Sequence, residues 1–331
     1  MKIRIFTLSI FISFAFSAFA THIHSGYISF EKIDNSSNEY KITLTTYTES
    51  RSVAAHRDEH QINLGYKTNG QDATMILNGI QTQLLVVENI WKNVYSGTHK
   101  FPSSQETFDL VVTDNNMSQG VLNVNSKSSV NVPFRLSTTL NINDNLHSPV
   151  FDSILTVFTS PGQFVNFNGG IKDADGDRVE YELIPEDIDY SFPSSIGNGN
   201  QVFKTSSTNL IWNRPKRQGM FLAKVKVLEY EKNSSKVLSE TNVYVMIFSI
   251  SSTDIKEAKS DKFISQYQNG FLYSGNGNPN RLVIYNLCGQ AVVSKSNLKS
   301  SETIEYPIQS GVYIIQFKEG KHEQTFKVSI R

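Results

Sequence analysis

Runs of alternating apolar and polar residues, each broken by a cluster of turn formers, constrain most strongly what this chain can fold into. In YKITLTTYT the side chains of Tyr40, Ile42 and Leu44 fall on one face of an extended strand, and in FLAKVKVLEY those of Phe221, Ala223, Val225 and Val227 do the same, because successive strand side chains point to opposite faces. Both read as half-buried antiparallel strands. The intervening KIDNSSNEY, KTNGQDA, VTDNNMSQG and SIGNGNQ are rich in Asn, Asp, Ser and Gly, whose side chains or backbone freedom favour chain reversal. No stretch carries a long, capped apolar period of 3.6 residues. The expected fold is all-β, built from tandem antiparallel sandwiches.

The first twenty residues read as a secretory signal peptide: Lys2 and Arg4 precede the apolar run Ile5 to Phe16, and Ala18-Phe19-Ala20 offers a small-x-small cleavage site. No later segment approaches the roughly twenty apolar residues of a spanning helix, so no membrane-spanning segment is expected. Removing the leader changes 31 basic and 31 acidic residues to 29 and 31, a formal charge of −2. That balance gives no electrostatic drive toward nucleic acid or an anionic membrane. Cys288 is the only cysteine, so no intrachain disulfide forms and burial must stabilise the fold. In its apolar setting it reads as a small buried hydrophobe. One cysteine, no disulfide and this kind of leader suggest bacterial export, an expectation under which the three glycosylation-type triplets at Asn35, Asn116 and Asn233 carry little weight.

Two breaks divide the remainder. In NINDNLHSPVF a strand ends and Pro149 restarts an extended chain, and in SISSTDIKEAKSDK a β-type run gives way to a connector without apolar period. The predicted organisation is a signal peptide over 1–20, a sandwich over 21–145, a second over 146–250, a linker over 251–262 and a terminal module over 263–331, all of plausible size.

The terminal module contains RLVIYNLCGQAVV and, after a polar turn, IQSGVYIIQFKEGKHEQTFKVSIR. It resembles the type A sorting domain of the type IX secretion system, a small β-sandwich that takes proteins across the outer membrane. The resemblance rests on Ile284-Tyr285-Asn286, Gly289-Gln290, Gly311-Val312-Tyr313 and Lys327. Where family members open with Tyr-Pro-Asn-Pro, this chain has Tyr267-Gln268-Asn269-Gly270. The resemblance implies export to the cell surface or medium of a Gram-negative bacterium, with Gly289, Gly311, Tyr313 and Lys327 in the sorting signal and the type IX machinery as partner. The preceding HIHSGYISFEKI, TFDLVVTDNN and LIWNRPKRQGMFLAKVKVLEY are similar to secreted surface proteins of gliding and surface-colonising bacteria. This second resemblance implies an Ig-like or cadherin-like middle sandwich.

The string IKDADGDRVEYEL sets Asp173, Asp175 and Asp177 at alternate positions. An EF-hand is excluded, because Gly176 falls at loop position 4 and Ile184 at position 12, where glycine at 6 and glutamate at 12 are needed. Cadherin-like repeats pair an Asn-Asp-Asn linker with an Asp-x-Asp turn, and Asn143-Asp144-Asn145 with Asp173-Ala174-Asp175 resembles that pair, offset by Leu146-His147-Ser148 before Pro149. The resemblance implies calcium held by Asp144, Asp173 and Asp175 where the two sandwiches meet. The same residues also suit an Asx-stabilised turn, with Gly176 supplying an unusual backbone angle, and both readings stay open.

HRDEH, His56 to His60, fits the His-x-x-Glu-His pattern of inverted zinc proteases, in which two histidines one helical turn apart bind zinc and the glutamate activates water. At most Ser52 to His60 has room to be helical, so the string reads as a charged loop. His22 and His24 read as exposed residues of a strand start, and Trp91 and Trp212 as core and face aromatics. No phosphate loop, nucleophile elbow or Cys-x-x-Cys pair occurs. The expected function is a secreted or surface-attached, non-enzymatic protein of adhesion or surface structure, meeting a surface protein or glycan. A carbohydrate-binding accessory module is the alternative, and a divergent zinc hydrolase centred on His56, Glu59 and His60 the third reading.

Overall fold

The computed structural model describes residues 23–49, 57–85, 90–124, 128–144, 146–196, 201–250, 264–267, 270–273, 281–286, 290–296, 303–305, 311–319 and 322–330. The expected signal peptide, the linker over 251–262, Cys288 and Gly289 lie outside the described residues. Apart from short 3-10 turns, every regular element described is a strand, as the alternating pattern predicts.

The first seven strands are β1 (Ile23–Lys32), β2 (Glu39–Glu49), β3 (Glu59–Thr68), β4 (Gln71–Leu85), β5 (Ile90–Lys100), β6 (Thr107–Asp114) and β7 (Phe134–Asn141). The next seven are shorter: β8 (Val150–Phe151), β9 (Thr156–Thr159), β10 (Val165–Phe167), β11 (Ile171–Lys172), β12 (Arg178–Leu183), β13 (Val202–Ser206) and β14 (Asn209–Asn213). A long hairpin follows, β15 (Gly219–Tyr230) with β16 (Val237–Ser249), paired from Gly219↔Ser249 to Tyr230↔Val237.

One sheet runs β1-β2-β5-β4-β3-β6-β7-β16 and closes on itself where Gly26 of β1 faces Tyr244 of β16. The closure depends on glycine: a Cβ at Gly26 would sit 2.6 Å from the Thr45 carbonyl oxygen and 3.2 Å from Leu136 Cδ1. Inside the ring lies the first core, with Ile28, Tyr40, Ile42, Leu44, Phe108 and Leu136 all fully buried. The same sheet continues from β16 through β15 to β12, with β9 parallel to β16. Against that extension packs the sheet β10-β14-β13, and between them lies the second core. Its centre is Trp212, 0% exposed and edge-on to Phe221 at 4.9 Å.

The two cores meet on the β15–β16 hairpin, which is buried on both faces. Phe221, Ala223, Val225, Val227, Val243, Val245 and Ile247 enter the second core, while Leu222, Tyr244 and Met246 enter the first. This corrects the reading of FLAKVKVLEY as half-buried. It also explains the near-continuous apolar run NVYVMIFSI, the pattern of a strand covered on both sides. Lys224, on the first-core side, has its Nζ 4.5 Å from the Tyr190 ring centre and 3.2 Å from Asp187 Oδ2, so its charge emerges at the rim. Fully buried Asn123 acts as a strand extension beside β15: its Nδ2 donates to the carbonyls of Leu222 and Ser191, both at 2.7 Å, and its Oδ1 accepts from the Leu222 N–H at 2.8 Å. Both cores cross the expected break at 145/146, since Tyr27, Tyr47 and Ile90 enter the second and Tyr190, Leu222, Tyr244 and Met246 the first.

The C-terminal strands are β17 (Ile264–Tyr267), β18 (Gly270–Tyr273), β19 (Arg281–Asn286), β20 (Ala291–Ser296), β21 (Thr303–Glu305), β22 (Gly311–Glu319) and β23 (His322–Ile330). They form the antiparallel sheets β17-β18-β21 and β20-β19-β22-β23. Ile284 and Ile315 are fully buried, and Ile314 and Tyr285 reach the second core.

Candidate functional site

The acidic string of Asp173, Asp175 and Asp177 turns the chain between β11 and β12. Asp173 Oδ1 accepts from the backbone N–H of Asp175 at 3.0 Å and of Asp177 at 2.9 Å, an Asx-type turn of the kind short acidic side chains form. Gly176 has φ +79° with open space around it, the left-handed conformation that glycine adopts without strain. The turn reading of this string is thus realised in the structure.

The turn also converges on a carboxylate that the sequence analysis missed. One oxygen each of Asp173, Asp177 and Glu229 lie within 4.8 Å of one another. Glu229 sits on β15 opposite Val179 of β12, beside the irregular step at Tyr230. It is 1% exposed, and its Oε2 accepts a short hydrogen bond from Ser239 Oγ. Asp177 Oδ1 accepts from the Lys232 N–H at 2.9 Å. Asp173 Oδ2 is buried and has no hydrogen-bond partner among the described residues.

Such crowding has an electrostatic consequence. Burial, with Asp173, Asp177 and Asp175 adding repulsion against the Ser239 hydrogen bond, pushes the Glu229 carboxyl up to about 8. Asp173 is also raised, first by burial and then by its acidic neighbours, against the two backbone N–H donors. Burying like charges together favours the neutral form. At neutral pH Glu229 holds a proton unless a cation replaces it. Three carboxylate oxygens at this separation can all reach one ion that takes oxygen ligands at about 2.3–2.6 Å.

Of the expected ligands Asp144, Asp173 and Asp175, the structure brings only Asp173 into this group. Asp144 Oδ2 is 2.8 Å from Lys236 Nζ and accepts from Asn141 Nδ2 at 3.1 Å. Asp175 holds His147 twice, through the backbone N–H at 3.0 Å and Nδ1 at 2.9 Å. The segment after β7 approaches the acidic turn through His147 and not through Asp144. Glu229 had a legible signal, since it continues the inward positions 221, 223, 225 and 227 and places a carboxylate where the core pattern calls for an apolar side chain.

Among the described residues of HRDEH, Arg57 to His60, there is no helix, and the charged-loop reading is corrected at Glu59 and His60, which are strand. Glu59 and His60 open β3, so Glu59 is exposed while His60 turns inward, edge-on to Tyr95 at 4.6 Å. Adjacent strand residues cannot share a face, and His56 lies outside the described residues. Burial, with Arg57 nearby, pushes the His60 imidazole down to about 4, against a smaller opposing effect of Asp114. The expected exposure of His24 is corrected: it is 5% exposed, with Ser118 Oγ 3.0 Å from Nδ1 and its ring edge-on to Phe248. His22 lies outside the described residues. Gly311 and Tyr313 start β22, and Lys327 pairs with Ile314 across β22 and β23. The chain matches no family model and no curated protein.

Proposed function

We propose that this is a secreted or surface-attached, non-enzymatic protein of adhesion or surface structure in a Gram-negative bacterium, carried across the outer membrane by residues 263–331. The observation that carries the reading is the shared hairpin. Because β15 and β16 contribute side chains to both cores, the two units form one mechanically continuous body, suited to bearing load between a cell and what it touches. The resemblance of the terminal strands to a type IX sorting domain supplies the route. On this reading calcium is a structural ion at Asp173, Asp177 and Glu229, where it takes the place of the Glu229 proton.

The test is localisation of the full chain and of a chain ending at residue 262, expressed in a type IX-competent cell. The full chain is expected at the cell surface or in the medium and the shortened one in the periplasm. Normal passage of the shortened chain across the outer membrane would refute the sorting assignment.

A further inference from the structure

The nearly balanced charge of the chain is unevenly spread. No aspartate or glutamate occurs from Ser153 to Ile171 or from Tyr190 to Leu228, the two segments that supply β10, β13 and β14. These strands and the loop after β14 carry Lys204, Arg214, Lys216 and Arg217, all exposed. Among the described residues, Lys204, Arg214 and Arg217 form no ion pair. Lys224 and Lys226, on β15, are instead paired with Asp187 and Glu240. Glu186, which precedes the second segment, accepts from the Phe192 N–H at 2.6 Å and from Ser195 Oγ at 2.8 Å.

The same sheet has an uncovered outer face. Val165, Phe167, Phe203, Leu210 and Trp212 enter the second core, so the alternate positions point outward. Register sets Asn166, Ile211 and Lys204 in one row across the three strands, and Val202 against Asn213 in the next. Phe164, immediately before β10, adjoins that second row and is 59% exposed. Arg214 follows Asn213 and has φ +59° directly before Pro215, a backbone that a bulky side chain and a following proline both disfavour. Pro215 is buried, and its carbonyl accepts from the Gly162 N–H at 2.6 Å. The basic loop is thereby fixed to the turn leading into Phe164, so the aromatic ring and the cations share one end of the sheet. Backbone held in a disfavoured region is a feature of ligand clamps.

We propose that this face binds a polysaccharide bearing carboxylates. The unpaired guanidinium groups of Arg214 and Arg217 match carboxylates in charge and in fork geometry. The carboxamides of Asn166 and Asn213 both donate and accept, as sugar hydroxyls require. Phe164 offers an exposed ring on which the apolar face of a sugar can lie. The surroundings disfavour other polyanions. A membrane would have to desolvate the carboxamides that stand among Phe164, Val202 and Ile211. Single-stranded nucleic acid calls for a row of aromatic rings along a groove, and here one ring stands on a flat sheet. Naming a ligand class takes the adhesion reading a step further, and localisation of the chain is measured independently of it.

The experiment is titration calorimetry of the purified protein in EDTA, which removes calcium bridging at the acidic turn. The ligands are oligogalacturonate and alginate oligomers, with neutral gluco-oligosaccharides, single-stranded DNA and phosphatidylglycerol-containing vesicles as comparisons. Saturable binding to at least one oligouronate is expected, weakened by salt, with no binding to the neutral oligomers. Arg214→Asn with Arg217→Gln removes two cations and leaves at position 214 a residue that tolerates the left-handed backbone. This pair should weaken binding about tenfold or more, and Phe164→Ala about threefold or more, both with melting temperature unchanged. Lys67→Gln, which neutralises an exposed cation of the first ring lying 3.9 Å from Asp72, should leave binding unchanged. If the double variant fails to fold, Lys204→Gln and Phe164→Ala carry the test. Absence of oligouronate binding, equal or tighter binding to DNA, vesicles or neutral oligomers, an equal loss in Lys67→Gln, or binding that the folded face variants leave unchanged would each overturn the proposal.

Discussion

Replacing Glu229 by glutamine should make the protein more stable at alkaline pH, and the structure indicates by how much. The carboxyl has an ordinary value near 4.5 and is raised to about 8 in the fold. Below pH 4.5 it is protonated in both folded and unfolded chains, so it contributes no pH dependence. Between pH 4.5 and 8 the unfolded chain loses the proton while the folded chain keeps it, so stability falls as pH rises. Above pH 8 the penalty is complete. At about 1.4 kcal/mol per pH unit the loss is on the order of 3–5 kcal/mol. For a body of this size that corresponds to roughly 10 °C in Tm. Glutamine preserves the shape and can still accept from Ser239 Oγ, but it never ionises. In EDTA, calorimetric melts between pH 5 and 8.5 should show Tm of the native protein falling across the range and that of Glu229→Gln staying nearly level. Calcium gives the second half of the experiment. With Kd about 1 mM, as in weak extracellular sites, 10 mM calcium should add about 1.4 kcal/mol at pH 7.5 to the native protein and far less to the variant. Parallel Tm profiles in EDTA would refute the electrostatic argument, and an unchanged native melt in 10 mM calcium would refute the cation.

The remaining predictions concern how the two cores are joined. Asn123→Leu strands the Leu222 N–H and carbonyl inside the molecule and should cost about 2–4 kcal/mol in chemical denaturation; a loss below 0.5 kcal/mol would show that the contact is dispensable. Gly26→Val pushes a side chain into the Thr45 carbonyl and should destabilise by about 1–3 kcal/mol or more, with the loss of amide-exchange protection centred on β1 and β16. Trp212→Ala should cost about 3–5 kcal/mol, read from the shift of the urea midpoint at constant slope. His147→Ala removes a part-exposed pair with Asp175 and should change stability by less than about 1 kcal/mol; a larger loss would mean that this contact, and not the hairpin, fastens the segment after β7.

Local chemistry was legible in the sequence wherever neighbours along the chain decide the outcome. The period of two placed Tyr40, Ile42 and Leu44 on one buried face and Phe221 to Val227 on another, because alternation is a property of the single extended strand. The acidic turn was equally readable: Asp173 reaches backbone groups two and four residues ahead, and Gly176 supplies the left-handed step. The tertiary structure decided whatever depends on what lies across from a strand. Nothing in FLAKVKVLEY states that Leu222 and Lys224 are covered, since their cover comes from the first ring and from Tyr190, remote in sequence. His24 and His60 look like exposed polar residues until the closure of the ring turns them inward. Asp144 and Asp175 carry the same charge as Asp173 and Asp177, yet the former two meet Lys236 and His147 while the latter two meet Glu229, more than fifty residues away. A carboxylate's role follows from the charge that folding brings within a few ångströms, and sequence spacing limits that choice only over a turn or a strand.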